Sequence, residues 1–501
     1  MPGVTCGDIG PKIGYNVMDN GFAKFEHVLI PRRNMAMRFA TVDKNGVYSK
    51  KTVSEAASKV AYITMMQVRS FIIMEASKNL RLGTTMAIRY SAVRKQGFKS
   101  NGGNSREENQ ILDYKQQQHR LFPLLASSYC FFFTGKKLLT DLKAIESRLA
   151  ELVESDDNSS KNSNGGKSKT VTKTEVGDIH ASLSALKSFT STITADGIED
   201  CRKACGGHGF LQASGFPELM TSFLQNPTVE GDNQMLPMQV VKVLLKLVKD
   251  VQSGKEEKMN EWIGCDAEYL LEPIRVMLFG EENEKASLVC AAASKEDMLD
   301  CNVLLAAYKH RTARLLVSVS EKIQMAVTSG TLFEEAWNAS LIQMGRVSRA
   351  HSAYLLLKNF LDGIRVEEAN HNASTLGTNE ISVLMDLFTL FGLYFIEKEA
   401  GDFLEGGYLT SEQVDMVREC TLDMMKKIRP NAVALVDAND FSDFRLKSVL
   451  GRYDGNVYPA LLETSKKDPL NATEPGPGYE NHLRRLIVDG VGAYTGTASR
   501  L

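Results

Sequence analysis

Pro227-Thr228-Val229-Glu230-Gly231-Asp232-Asn233-Gln234 is a polar, glycine-bearing turn, and an apolar run follows it directly. Beyond the turn, Met235, Met238, Val241, Leu245 and Val248 recur at helical spacing, which predicts a helix beginning near Asn233 with one apolar face. Asp232 or Asn233 is suited to cap it. Upstream, the pattern predicts helices over about 178–204, over 111–152 with Pro123 at a kink or boundary, and over 54–97 as one long helix or two abutting ones. Val60, Ile63, Phe71 and Met74 mark the apolar face of the earliest of these. Four long helices in series predict a bundle whose core lies within about 60–250.

Beyond the bundle, Leu304, Tyr308, Leu315, Val319 and Ile323 are spaced for one face of another helix. Residues 332–362, 380–400 and 411–428 continue the helical reading, with Ser411 as a candidate N-cap and Glu412 in the first turn. Residues 155–170 are serine-, asparagine- and glycine-rich, cannot bury apolar surface, and read as a mobile loop. The first 45 or so residues differ again. Gly7, Gly10, Pro11, Gly14 and Gly21 break them into short strands and turns, too few to close a β domain. The fold class is therefore mostly α: two helical regions behind a β remnant.

Composition narrows the function. A formal net charge of -2 over 501 residues, with 43% hydrophobic and 24% charged residues, gives no reason to expect nucleic acid or an anionic membrane as the main partner. No stretch of eighteen apolar residues is apparent, so no membrane span is expected, and the first six residues lack the basic head and apolar run of a secretory signal. Eight scattered cysteines suggest reduced thiols rather than a disulfide scaffold. The chain ends in Ser499-Arg500-Leu501, which keeps the small-basic-leucine pattern of a peroxisomal address.

Three stretches can carry chemistry. Glu230 sits in the entry loop of a helix, where apolar neighbours would desolvate it, raise its pKa and make it a general base. The competing reading is a solvated or capping glutamate, the commoner role at such a position. Cys201-Arg202-Lys203-Ala204-Cys205-Gly206-Gly207-His208-Gly209-Phe210 places three glycines where a helix must end. That run reads as a backbone cradle for a phosphate or nucleotide, with a plain helix stop as the alternative. Cys201, Cys205 and His208 are too few for a metal site, and no metal is expected. Arg94, Lys95 and Gln96 close the first long helix. Cations there complement the helix dipole or, functionally, a pyrophosphate. The 20 methionines fall mostly at core spacing.

Several of these stretches resemble one family. Cys6-Gly7-Asp8-Ile9-Gly10-Pro11-Lys12-Ile13-Gly14-Tyr15, Ile30-Pro31-Arg32-Arg33-Asn34-Met35-Ala36-Met37-Arg38-Phe39 and Ile88-Arg89-Tyr90-Ser91-Ala92-Val93-Arg94 are similar to segments of peroxisomal acyl-CoA oxidases. So are Leu121-Phe122-Pro123-Leu124-Leu125-Ala126, Ala204 to Phe210, and Val449-Leu450-Gly451-Arg452-Tyr453-Asp454-Gly455-Asn456-Val457-Tyr458, in the same order. The resemblance implies an acyl-CoA dehydrogenase-like C-terminal helical bundle, a second helical oxidase domain and a short β-domain remnant at the N-terminus. Its divisions would be 1–48 for the β remnant and 50–255 for the FAD-contacting bundle, with the mobile loop extended to 155–172. The oxidase domain would take 265–480 and the addressed tail 481–501.

The resemblance also implies FAD as cofactor, fatty acyl-CoA and molecular oxygen as substrates, and trans-2-enoyl-CoA and hydrogen peroxide as products. Glu230 stands at the family's catalytic glutamate, in a Glu-Gly-x-Asn setting. Arg94 matches an arginine near the FAD pyrophosphate. Gly206 and Gly207 match a glycine loop that reaches FAD from the neighbouring subunit, and Gln234 matches a polar position near the cofactor. Such a site implies a homodimer, or a heterodimer with a related oxidase, and the terminal tripeptide implies a peroxisomal import receptor. Three departures stand out. Lys115 replaces an expected glutamine at FAD. Pro237 forces the following helix to start near Gln234 or kink. The Gly7 segment begins far earlier in this chain than in relatives, as in an N-terminally truncated form. Two functions follow: an active acyl-CoA oxidase, or a catalytically impaired truncated isoform that dimerises with a full-length relative.

Overall fold

The computed structural model describes residues 2–37, 40–50, 55–98, 107–157, 171–369, 376–473, 476 and 478–488. The expected mobile loop therefore lies almost wholly outside the described residues, as does the terminal Ser499-Arg500-Leu501.

Five helices make the first region: α1 (Glu55–Val93), α2 (Lys115–Asp157), α3 (Lys173–Ala204), α4 (Phe216–Phe223) and α5 (Leu236–Gln252). Four longer ones dominate the second: α6 (Cys301–Thr328), α7 (Leu341–Ala369), α8 (Thr378–Lys398) and α9 (Ser411–Ile428). Ahead of and within them lie three two-stranded antiparallel hairpins: β1 (Val4–Asp8) with β2 (Gly21–Phe25), β3 (Ala40–Val42) with β4 (Tyr48–Lys50), and β5 (Lys95–Phe98) with β6 (Glu108–Gln110). The mostly helical class and the weak β remnant stand. No β1 or β2 residue is buried, and Val17 and Leu29 are over 90% exposed, so these hairpins have no core of their own.

Several boundaries differ from the sequence reading. α1 is one helix that runs through Gly83, and it stops at Val93 because the next residues turn into β5 instead of continuing to 97. Its buried face is Met66, Ile73, Ala76 and Leu80, whereas Phe71 is exposed. α2 passes through Pro123 without a boundary, and the Ser127 hydroxyl donates to the Pro123 carbonyl at 2.8 Å. α3 starts at Lys173, five residues early, because Thr172 Oγ1 accepts from the Glu175 N–H at 3.0 Å. At α9 the cap is Thr410, paired with Gln413 in a reciprocal capping box, so Ser411 is the first helical residue.

α5 starts at Leu236, which puts Pro237 in the first turn, where its missing N–H costs nothing. That start also moves the buried stripe. Leu236, Val240, Leu244, Leu247 and Val251 face inward with Val241 and Val248, while Met235 is exposed and Met238 and Leu245 are only partly covered. The stripe read on α6, Leu304 to Ile323, is buried throughout.

α1 lies along both α2 and α3, and α5 crosses α3. α7 then packs on α2, α3 and α5, so one hydrophobic core runs from the first helical region into the second. A second core gathers α5, Trp262, Ile274 and the later part of the α6 stripe, Leu315, Val319 and Ile323, while Leu304 and Tyr308 join the first. α8 is long and apolar enough to cross a membrane by length and composition, although Asp386 interrupts its apolar run. Here it is a core helix: Leu387, Phe388, Leu390 and Phe391 are fully buried, and Asp386 pairs with Lys427 at 2.6 Å. Leu244 sits fully buried in the second core, beneath the loop that enters α5. Leu244→Ala is expected to lower the unfolding free energy by about 2–5 kcal/mol in denaturant titration, the range for an emptied leucine site.

Candidate active site

The loop before α5 is held by side chains from α1 and α3. Lys187 on α3 is fully buried and donates to the Gly231 carbonyl at 2.7 Å and to Asn233 Oδ1 at 2.9 Å. Arg69 on α1 donates from Nε to the Glu230 carbonyl at 3.2 Å and from Nη1 to Ser184 Oγ at 2.8 Å. Its Nη1 also lies 3.1 Å from His180 Nε2, so that ring nitrogen is the acceptor. Asn233 completes the clamp. Its amide nitrogen reaches the Ser188 carbonyl, Ser191 Oγ and Thr192 Oγ1 at 2.8–3.0 Å.

These bonds fix an unfavourable backbone. Glu230 has φ 55°, a left-handed conformation that costs a non-glycine residue about 1 kcal/mol or more. Hydrogen bonds from charged donors contribute about 1.5–3 kcal/mol each, so the two cations outweigh the strain. Neither Asp232 nor Asn233 caps α5. Asp232 Oδ1 takes the Gln234 N–H at 2.8 Å, and Asn233 turns inward to α3.

The expected desolvation of Glu230 is not found. Its side chain is exposed, and so are Val229, Gly231, Asp232, Gln234 and Met235 around it. The loop projects from the bundle surface, and its apolar neighbours lean outward rather than over the carboxylate. The field at Glu230 comes instead from Arg69 and Lys187, whose charged forms it supports in turn. Among the described residues no acceptor is seen for the Glu230 N–H. Beside Gln234 a cleft of about 250 Å³ opens between α3, α5, α7 and α8, with Ser188, Thr192, Arg349 and Lys398 on its walls.

The other expected site residues gather elsewhere. Gly206 and Gly207 are exposed, Gly206 has φ 61°, and a Cβ on either would meet nothing within 4 Å. Gly209, by contrast, is packed against the Arg202 carbonyl. The Gly206–Gly207 face is thus open ground for close approach by a group from outside this chain. Beside it, His208 Nδ1 pairs with the Tyr90 hydroxyl at 2.8 Å, and its ring meets Tyr458 edge-on. Tyr458 in turn accepts from Arg94 Nη1 at 3.2 Å. Lys115 begins α2, is exposed, and donates to Gln118 Oε1 at 3.1 Å. It is Gln117 that ties α2 to this corner, donating to Ser91 Oγ at 3.0 Å and to the Ala204 carbonyl at 2.9 Å. Arginine, lysine and free glycine N–H groups are a donor set suited to an anion such as a pyrophosphate. Cys201 and Cys205 are buried, and burial pushes both thiols up, so they pack rather than react.

Two half-sites therefore lie apart along the bundle. Arg69 on α1, at the Glu230 loop, and Arg94, the residue after α1 ends, at the glycine loop, are 25 positions apart, about 37 Å at 1.5 Å per residue. Sequence reasoning missed Arg69, Lys187 and His180, and read Asn233 as a cap rather than as part of the clamp. The only signal was a lysine and an arginine inside apolar helical stretches.

Residues 62–245 match the family described as "Acyl-CoA oxidase, C-alpha1 domain", and residues 300–488 match "Acyl-CoA oxidase". The chain is 39% identical over 487 residues to peroxisomal acyl-coenzyme A oxidase 1 of Rattus norvegicus, covering 97% of this chain and 67% of that protein. Its structure is similar to that of Arabidopsis thaliana acyl-CoA oxidase 1, with a TM-score of 0.81 at 35% identity over 98% of this chain and 67% of that one. It is also similar to acyl-CoA oxidase-1 of Caenorhabditis elegans complexed with FAD and ATP, with a TM-score of 0.77 at 32% identity over 98% of this chain and 65% of that one. The chain spans about two thirds of the length of these relatives. It belongs to the acyl-CoA oxidase family, a family of oxidoreductases.

Lys187 makes the loop sensitive to alkali. Burial, and then the Arg69 charge, lower its pKa to about 8 from 10.5, the value for an unfolded lysine. Between those values the unfolded chain holds a proton that the folded one does not, so this group's contribution to stability rises with pH. The stability difference between wild type and Lys187→Met, measured by urea titration, should grow from pH 8 to pH 10. It should be flat below pH 7.

Proposed function

We propose that this chain is a subunit of an FAD-dependent acyl-CoA oxidase that converts acyl-CoA and oxygen to trans-2-enoyl-CoA and hydrogen peroxide. The observation that carries the reading is the Glu230 loop, a left-handed glutamate clamped by Arg69 and Lys187 at the family's catalytic position. The α-proton of a thioester is weakly acidic, so its removal needs a fixed base and donors for the enolate oxygen. Glu230 is the base. Its own N–H, which takes no acceptor among the described residues, is one donor for the thioester carbonyl. The clamp holds that N–H and the carboxylate in one orientation without reorganisation at the moment of reaction. FAD, when bound, would supply the hydride acceptor and a route for the electrons to oxygen.

Arg94, Lys115, Gly206 and Gly207 would supply donors to the pyrophosphate of FAD, and Gln234 would be a further polar contact to the cofactor. Because Arg94 and Glu230 lie apart along the bundle, each cofactor is shared by two subunits in a homodimer or in a heterodimer with a related oxidase. Relatives named peroxisomal support a peroxisomal matrix location, with Ser499, Arg500 and Leu501 read by the import receptor.

A second reading has a specific observation behind it. Glu230 is exposed, and Ile13, Val17 and Leu29 beside the β1–β2 hairpin present bare apolar surface. On that reading the chain is a catalytically impaired partner of a full-length oxidase. Absorption spectroscopy separates the two. Yellow protein that makes peroxide from an acyl-CoA supports the first, and colourless protein that co-purifies with a full-length relative supports the second.

Glu230→Gln is expected to abolish peroxide formation while flavin absorbance is retained. Loss of flavin in that variant would contradict the assigned role. If sites are shared, mixing inactive Glu230→Gln with inactive Arg94→Glu restores one intact site per mixed dimer. Activity then returns to about a quarter of wild type after random exchange. No recovery would place the whole site in one subunit.

A further inference from the structure

A cavity of about 620 Å³ that shares no lining residue with the half-sites lies between α1, α2, α8 and the short helix Ala432–Asp437. Tyr129, Phe132, Phe133, Val383, Leu384 and Leu435 form its apolar and aromatic wall, and Asn379, Asn431 and Asn439 are among its polar lining. One guanidinium meets the aromatic wall. Arg81 Nε is buried without a hydrogen-bond partner, and Nη1 makes only a long contact of 3.4 Å to Asn439 Oδ1. Its carbon lies 5.0 Å from the Phe132 ring centre and 5.9 Å from that of Phe441. Among the described residues no carboxylate forms an ion pair with Arg81. The other cation at the cavity, Lys136, is already neutralised by Glu367 at 2.8 Å. Glu380 lies at the exposed rim, where water screens its charge.

An arginine half-buried without a counter-ion is costly, and burial lowers its pKa accordingly. Ring faces offset part of that cost, but they leave the Nε donor unsatisfied. A carboxylate would satisfy it, and a chain of methylenes behind the carboxylate would cover the aromatic walls. The volume is within the range of small-molecule sites.

We infer that this cavity binds a fatty-acid anion, with the carboxylate on Arg81 and the alkyl chain against Phe132, Phe133 and Leu384. The site is separate from Glu230 and does not depend on the reading of that loop. Arg81 supplies charge-assisted donors, and the walls supply the apolar burial that gives most of the affinity.

Titration calorimetry of the purified chain with sodium dodecanoate, below its micellar concentration, tests this. Saturable binding is expected, with dodecanol, which has the same chain and no charge, about tenfold or more weaker. Arg81→Met should weaken dodecanoate to the level of dodecanol, and Arg81→Lys should recover part of the loss. Val383→Trp, which fills the cavity from a half-buried position, should remove binding without shifting the thermal melt. Equal affinity for dodecanoate and dodecanol would overturn the inference with no variant needed. So would the absence of saturable binding, or binding unchanged in both Arg81→Met and Val383→Trp, which would place the ligand elsewhere.

Discussion

Lys187 carries a positive charge into the interior of α3 and meets two oxygens there, the Gly231 carbonyl and Asn233 Oδ1. A lysine can be buried at that point only because the chain returns as a loop and offers those acceptors. The loop keeps its left-handed turn at Glu230 only because Lys187 and Arg69 hold its carbonyls. Each half of the arrangement would be unfavourable alone. Together they join α1, α3 and the start of α5, and the position of α5 in turn sets the second core around Leu244 and Trp262. The Glu230 loop is thus a structural junction as well as the candidate active site.

The same packing separates the chemistry. α1 is long and lies along both α2 and α3, so what sits at its start cannot meet what sits at its end. The Glu230 loop is tied at Arg69, within the first half of α1, and the glycine loop lies beyond its end. In one copy of the chain Glu230 and the Gly206–Gly207 face are therefore kept apart, which is why the function proposed above calls for two subunits. The open face at Gly206 and Gly207 fits that arrangement, since nothing in the same chain requires the missing side chains.

The exposure of Glu230 changes the account of how it would work. A carboxylate can be made basic by desolvation, and the sequence reading assumed apolar neighbours would do so. In the structure Val229 and Met235 are themselves exposed, and Arg69 holds the backbone carbonyl of Glu230 rather than its carboxylate. In the proposed function this chain would contribute the orientation of Glu230 and its backbone N–H, and exclusion of water from the carboxylate would have to come from what packs over the loop.

The sequence by itself determined the class of fold and the presence of each long helix. Those depend on periodicity and on local chemistry: apolar residues three and four apart on α6, a proline admissible only in a first turn at Pro237, glycines that must end α3 at Gly206. Helix starts were less legible, because Thr172 and Thr410 compete with equally plausible neighbours and only geometry shows which side chain reaches the free N–H. The tertiary structure alone decided which face of α5 is buried, that Asn233 turns inward, and that Arg69 and Lys187 hold the Glu230 loop across gaps of 161 and 44 residues. The reason is physical. Helix formation is set by neighbours along the chain, whereas a buried cation is tolerated only where distant backbone brings it an oxygen, and no local pattern records that meeting.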